Sequence, residues 1–235
     1  MFENFKNKKI GKKNHNKKGG FTMAELIMVI AIFGILSAVT VYNYGKFNAN
    51  IIMTNMAYEI ALSIREAQVY SLGVRGSGGN FNTKYGVYFD SDNGQNFIFF
   101  ADNDLNKKCD DKTNPSAIVN CSIQECVDSP RNECESLNTL TRGINVIKIC
   151  VSGLGLDVMD FDNGNCGGNA VSTEKATVTF ERPNQDAFVY NMGNGVLGSD
   201  QDARNMAVLI EARNGAKRAI HITENGQISV KFINN

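Results

Sequence analysis

The apolar positions of this chain change period twice. Between Leu26 and Gly45 no residue is charged, and the run from Phe21 to Tyr44 spans 24 residues with Glu25 as its one charge. A helix needs about 20 apolar residues to cross a bilayer, so this run predicts a membrane-spanning helix. From Ile52 onward the apolar residues narrow to a stripe. Ile52, Met56, Ile60, Ile64 and Ala67 recur at spacings of four and three, widened by Ile51, Ala61 and Leu72. Asn55, Glu59, Ser63, Arg65, Glu66 and Gln68 cover the rest of the surface. That is one face of an amphipathic helix. Gly73 and Gly76–Ser77–Gly78–Gly79 end it, as glycines commonly do. The spacing predicts one long helix from about Thr22 to Leu72, its first half in lipid and its second half packed on a soluble head. Gly34 and Gly45 are soft points within it.

After Gly79 the period becomes that of strands. Expected strands are Lys84–Phe89, Asn96–Ala101, Asn145–Val151, Ala176–Glu181, Ala187–Tyr190, Met206–Ala212, Ala219–Thr223 and Gln227–Phe232. Asp92–Asn93–Gly94, Arg213–Asn214–Gly215 and Glu224–Asn225–Gly226 separate several of them, and Asn-Gly between apolar runs is a strong hairpin signal. The fold class expected is α+β: a long N-terminal helix packed on an antiparallel β-rich head. The division expected is 1–20, 21–45 for the apolar half-helix, 46–73 for its amphipathic continuation and 74–235 for the head. The head includes a polar, cysteine-rich insertion over 102–142.

The formal charge is zero, which hides an asymmetry. Residues 1–20 hold seven lysines against Glu3, a net +6, and the remaining 17 basic and 23 acidic residues give −6. An acidic body repels phosphates at long range and is a poor general binder of nucleic acid. The basic block should stay in the cytoplasm and the head outside it. The six cysteines, Cys109, Cys121, Cys126, Cys134, Cys150 and Cys166, all follow the apolar run. An even number in an exported part reads as disulfides, with 15 pairings open. Cys126 with Cys134, and Cys150 with Cys166, would each close a short loop. A zinc site is the alternative, but no CxxC occurs and His15 and His221 are remote in sequence from the cysteines.

An ordinary signal peptide has small residues after its apolar core, whereas Gly19 and Gly20 come before this one. An acidic residue at the centre of a span costs about 2.5–3.5 kcal/mol on insertion scales. Glu25 is therefore expected either to meet a partner or, one turn from the helix start, to reach water.

The stretch Lys17–Lys18–Gly19–Gly20–Phe21–Thr22–Met23–Ala24–Glu25–Leu26–Ile27 resembles the class III leader junction of type IV prepilins and type II secretion pseudopilins. The resemblance implies cleavage between Gly20 and Phe21 by the prepilin peptidase and N-methylation of Phe21. It implies that Glu25 neutralises the N-terminus of a neighbouring subunit during assembly. It also implies other pilin or pseudopilin subunits and an inner-membrane assembly platform as partners, with the cytoplasmic membrane and then a fibre as the location. Ile64–Arg65–Glu66–Ala67 before Gly73, and the ending AIHITENGQISV, more loosely resemble H-type minor pseudopilins and T-type minor pilins. That favours a minor subunit. An anchored extracytoplasmic domain that never assembles is the other reading of the same residues.

Candidate chemistry is sparse. Asp102, Asp104, Asn106 and Asp110 have the odd-position oxygen spacing of a calcium loop, without its central Gly and terminal Glu. Asp157, Asp160 and Asp162 form a second acidic loop. No other cofactor is expected. There is no GxSxG, HExxH or phosphate loop, and His221 lies on an expected strand, so no enzyme is expected. Some T-type minor pilins bind DNA, and Arg213, Lys217 and Arg218 at one turn are the nucleic-acid contacts that resemblance would imply.

Overall fold

The computed structural model describes residues 19–73, 75–77, 79, 81–109, 126, 133–152, 161–162, 165–168, 170–183, 185–192 and 203–233. The chain divides into two compact units, Met1–Gly45 and Lys46–Asn235. One helix, α1 (Met23–Leu72), contributes to both.

In the first unit, α1 starts on a cap. The Glu25 N–H donates to Thr22 Oγ1 (3.2 Å) and the Leu26 N–H to the Thr22 carbonyl (3.1 Å). Thr-x-x-Glu is the sequence of a capping box, and a carboxylate in the first turn also suits the helix dipole. The helix then runs apolar on all sides. Two of its hydroxyls bond back along the helix: Ser37 Oγ donates to the Phe33 carbonyl (2.7 Å), and Thr40 Oγ1 to the carbonyls of Leu36 (3.2 Å) and Ser37 (2.8 Å). Hydroxyls bonded back to the preceding turn leave no donor bare in an apolar surrounding.

The second unit is α+β. Its part of α1 carries Met53, Ala57, Ile60, Ile64 and Ala67, all fully buried. The buried stripe is displaced by one residue at its start from the expected one. Ile52 and Met56 are only partly buried, and Ile51 is exposed. Neighbouring positions lie about 100° apart on a helix, so the same face admits either set, and packing against the sheets selects the inner one.

Among the described residues twelve strands follow: β1 (Lys84–Asp90), β2 (Asn96–Asp102), β3 (Cys134–Thr139), β4 (Asn145–Ser152), β5 (Phe161–Asp162), β6 (Asn165–Cys166), β7 (Val171–Thr173), β8 (Lys175–Phe180), β9 (Ala187–Asn191), β10 (Asn205–Glu211), β11 (Lys217–Ile222) and β12 (Ile228–Ile233). They form a sheet of order β3-β2-β1-β8-β9, a second of order β12-β11-β10-β4-β7, and the ribbon β5-β6. All the pairings between these strands are antiparallel. Each of the eight expected strands is present within one or two residues of its expected ends. β3 lies inside the segment read as an insertion, and β5, β6 and β7 were not expected.

One core joins the helix to both sheets: Val87, Phe89, Phe99, Val178 and Phe180 from the first, Val146, Ile149, Met206, Val208, Ile210, Ile220 and Ile222 from the second. The other face of each sheet is covered too. Tyr88, Ile98, Phe100 and Cys109 form a cluster against Cys126 and Cys134, and Cys150, Ala207, Leu209 and Ala219 form another against Cys166. Coverage on both faces is why β1 and β2 are buried without alternation. Cys126 is bonded to Cys134 and Cys150 to Cys166, so disulfides sit over both outer faces. Cys109 is also disulfide-bonded; Cys121 lies outside the described residues.

The end of α1 is tied to the sheets by polar contacts. Gln68, buried, donates from Nε2 to the carbonyls of Gln185 (3.3 Å) and Gly226 (3.2 Å). Ser71 Oγ accepts the Tyr85 N–H (2.8 Å) and donates to the Tyr85 carbonyl (3.3 Å). Gly226 sits in the β11–β12 turn at φ 75°, where a Cβ would fall on the Gln185 carbonyl and on the Gln68 amide. Only glycine meets both demands.

Candidate functional site

Four features converge on residues 19–45. Gly19 and Gly20 precede the helix, are exposed, and have room for a Cβ with nothing within 4 Å. Neither is in the left-handed backbone region, so this fold does not require glycine at either position. Phe21 follows, 80% exposed. Glu25 is exposed in the first turn. Behind it Leu26, Ile27, Met28, Val29, Ile30, Ile32, Phe33, Ile35 and Leu36 are each more than half exposed. An all-round apolar helix demands burial from outside its own fold. Its most apolar window has a mean hydropathy of 2.4 and none of it is buried, so it is long and apolar enough to cross a membrane.

Residues 15–41 match the family model of the prokaryotic N-terminal methylation motif.

The chain carries a type IV prepilin-like signal.

That signal points to a pilin-like or pseudopilin-like structural role in general. It implies processing by a prepilin peptidase and assembly with other pilin subunits, and it makes the apolar half of α1 a candidate membrane anchor. No curated protein and no solved structure matches the chain.

The remaining candidates lie in the head. Asp102 and Asp104 stand with Glu133, their carboxylate oxygens within 4.8 Å of one another. Glu133 lies far away in sequence and no local signal announced it. Asp110, Asp157 and Asp160 lie outside the described residues. The Asp102 oxygens accept the N–H groups of Asn106 (3.1 Å) and Lys107 (2.9 Å), and those of Asp104 accept the N–H (3.1 Å) and side-chain amide (2.8 Å) of Asn106. The oxygens at alternate positions thus hold the turn, whose Leu105 and Lys107 both have φ 66°. Burial, together with a hydrogen bond and repulsion from Asp104, raises the Asp102 carboxyl to about 7, opposed by the Lys107 N–H and the charge of Lys84.

The three basic residues at the β10–β11 turn do not form one exposed surface. Arg213 is exposed beside Gly143. Lys217 stands opposite Glu211 and pairs with it at 3.9 Å. Arg218 is buried, 7% exposed, on the side of β11 that faces the helix. His221 is buried on the opposite side of β11, with Ala219.

Proposed function

We propose that this chain is a structural subunit of a type IV pilus or type II secretion pseudopilus, a minor pilin or pseudopilin. The lysine-rich residues 1–20 keep that end in the cytoplasm, and the head stands outside it. A prepilin peptidase hydrolyses the Gly20–Phe21 bond, releasing residues 1–20 and leaving an amine on Phe21. N-methylation of that amine keeps it basic, with a pKa near 8 and hence a positive charge at neutral pH. Glu25 of an adjacent subunit meets this charge within the apolar fibre core. A carboxylate there costs least when paired. The uncovered faces of residues 26–44 pack against the same segment of other subunits. The chain performs no reaction of its own and is the substrate of the peptidase.

The observation that carries this reading is the Gly20–Phe21…Glu25 junction at the head of a helix that its own fold leaves bare. Intact-mass spectrometry with N-terminal fragmentation tests it, on protein extracted from membranes of its own host. The expected species begins at N-methylated Phe21. A chain that keeps residues 1–20 in cells with an active prepilin peptidase would overturn it.

A further inference from the structure

An open groove of about 860 Å³ lies within the second unit, where α1 passes β11 and β12. Phe47, Ile51 and Thr54 line one side; Lys217, Arg218 and Phe232 line the other. Among the described residues no Asp or Glu lines it.

Arg218 lies at its floor. Nη1 donates to the Lys217 carbonyl (2.7 Å), Nη2 reaches Thr54 Oγ1 (3.5 Å), and the guanidinium carbon lies 4.1 Å from the Phe232 ring centroid. Buried Nε has no hydrogen-bond partner among the described residues. No carboxylate of the described residues pairs with this guanidinium, whereas Lys217 already has Glu211. Burial without a counter-charge lowers the Arg218 pKa. A desolvated cation of this kind is costly until an anion reaches it. The walls are open and mixed: Phe47 is 66% and Phe232 61% exposed, and Asn50, Thr54 and Asn55 line the groove beside them. One cation without a carboxylate, set against the Phe232 ring in a groove that Phe47 also lines, fits one carboxylate carried next to an apolar side chain. The groove is too large for a lone anion. It also opens beside β12, the outer strand of its sheet, along which an extended segment could lie.

We infer that this groove docks a segment of a neighbouring protein subunit, with an acidic side chain seated on Arg218 and an apolar side chain between Phe47 and Phe232. That the partner is a subunit rests on the pilin-like reading above; the carboxylate specificity does not.

The test uses the full chain in detergent micelles. The probes are two blocked five-residue peptides in which phenylalanine and valine flank a central glutamate or glutamine. The glutamate peptide binds saturably, shifts the Arg218 Nε–H resonance, and is preferred by about tenfold, since one charge-assisted pair in an apolar site is of that order. Arg218→Met abolishes the preference while holding or raising the thermal midpoint, because it removes a buried cation that has no counter-charge among the described residues. Should Arg218→Met not fold, Arg218→Lys keeps the preference in reduced form. Equal binding of the two peptides overturns the inference, as does an unchanged preference in Arg218→Met. Acetate binding as tightly as the peptide would overturn it as well, showing a simple anion site. So would binding seen only in a chain shortened by residues 234 and 235. The mass of the same protein reports processing separately, so an unprocessed chain would sink the pilin reading without touching the peptide result.

Discussion

Single residues show where charge is spent. Asp102 is fully buried and its carboxyl titrates near 7, against about 4 in an unfolded chain. The folded head therefore holds a proton there that the unfolded chain releases. That contribution is complete below about pH 4 and is lost as pH rises through 7. Urea unfolding of the head is expected to become easier between pH 4 and pH 7, by on the order of 2–4 kcal/mol. Asp102→Asn should flatten this dependence, because the amide oxygen still accepts a backbone N–H and carries no charge. A profile with the same slope in the variant would assign the effect to another group. Arg218 shows what residue-by-residue reading misses. Named as one of three basic residues at a turn, it suggests a phosphate contact. Read at period two, it shares the face of Ile220 and Ile222, which points it inward.

At the scale of elements, much of the fold was legible. Fifty helical residues followed from an uncharged run joined to a stripe at spacings of three and four, with glycines at its end. The Asn-Gly turns located the β10–β11 and β11–β12 hairpins, whose glycines have φ 79° and 75°. β3 was hidden because CESLNT is an edge strand with its largest apolar side chain only half-buried, so it lacks an apolar run. β5 and β6 are two residues each, too short to show any period. The Thr22 cap was legible as Thr-x-x-Glu but was hidden beneath the more conspicuous junction motif. The cluster of Asp102 and Asp104 with Glu133 depends on β2 pairing with β3, a contact between distant residues that no local pattern encodes. Gly226→Ala tests how far the last hairpin depends on its turn. Left-handed backbone and the collision with Gln185 and Gln68 both oppose a methyl, so a loss of at least about 1–3 kcal/mol is expected in denaturant melts. A loss below 0.5 kcal/mol, on the order of an ordinary surface change, would show that the turn relaxes freely.

For the whole molecule, the proposed function gives the two units separable duties. The charge of Glu25 belongs to the first unit, which among the described residues shares only α1 with the second. Glu25→Gln should leave the thermal unfolding of the head unchanged and still permit cleavage at Gly20–Phe21. It should reduce recovery of the protein in sheared fibres by tenfold or more, an order set by one charge pair in an apolar core. Normal fibre content in this variant would mean that Glu25 serves only the helix start. The charge asymmetry acts at the same scale: removal of residues 1–20 takes away a net +6 and leaves a body of −6. Processing at Gly20–Phe21, as proposed above, would thus change an electrically neutral chain into an acidic one.

In the fibre subunit proposed above, a push or pull on the fibre would reach the head along α1. Gln68 and Ser71 lie in the last turn and a half of that helix. Ser71 grips the start of β1 in the first sheet, while Gln68 grips both the loop before β9 in that same sheet and the turn before β12 in the second. Tension arriving at the helix end is split between two sheets through bonds in different directions, so no single hairpin has to bear it alone. Under that proposal the head would take strain as a clamp rather than as a zipper.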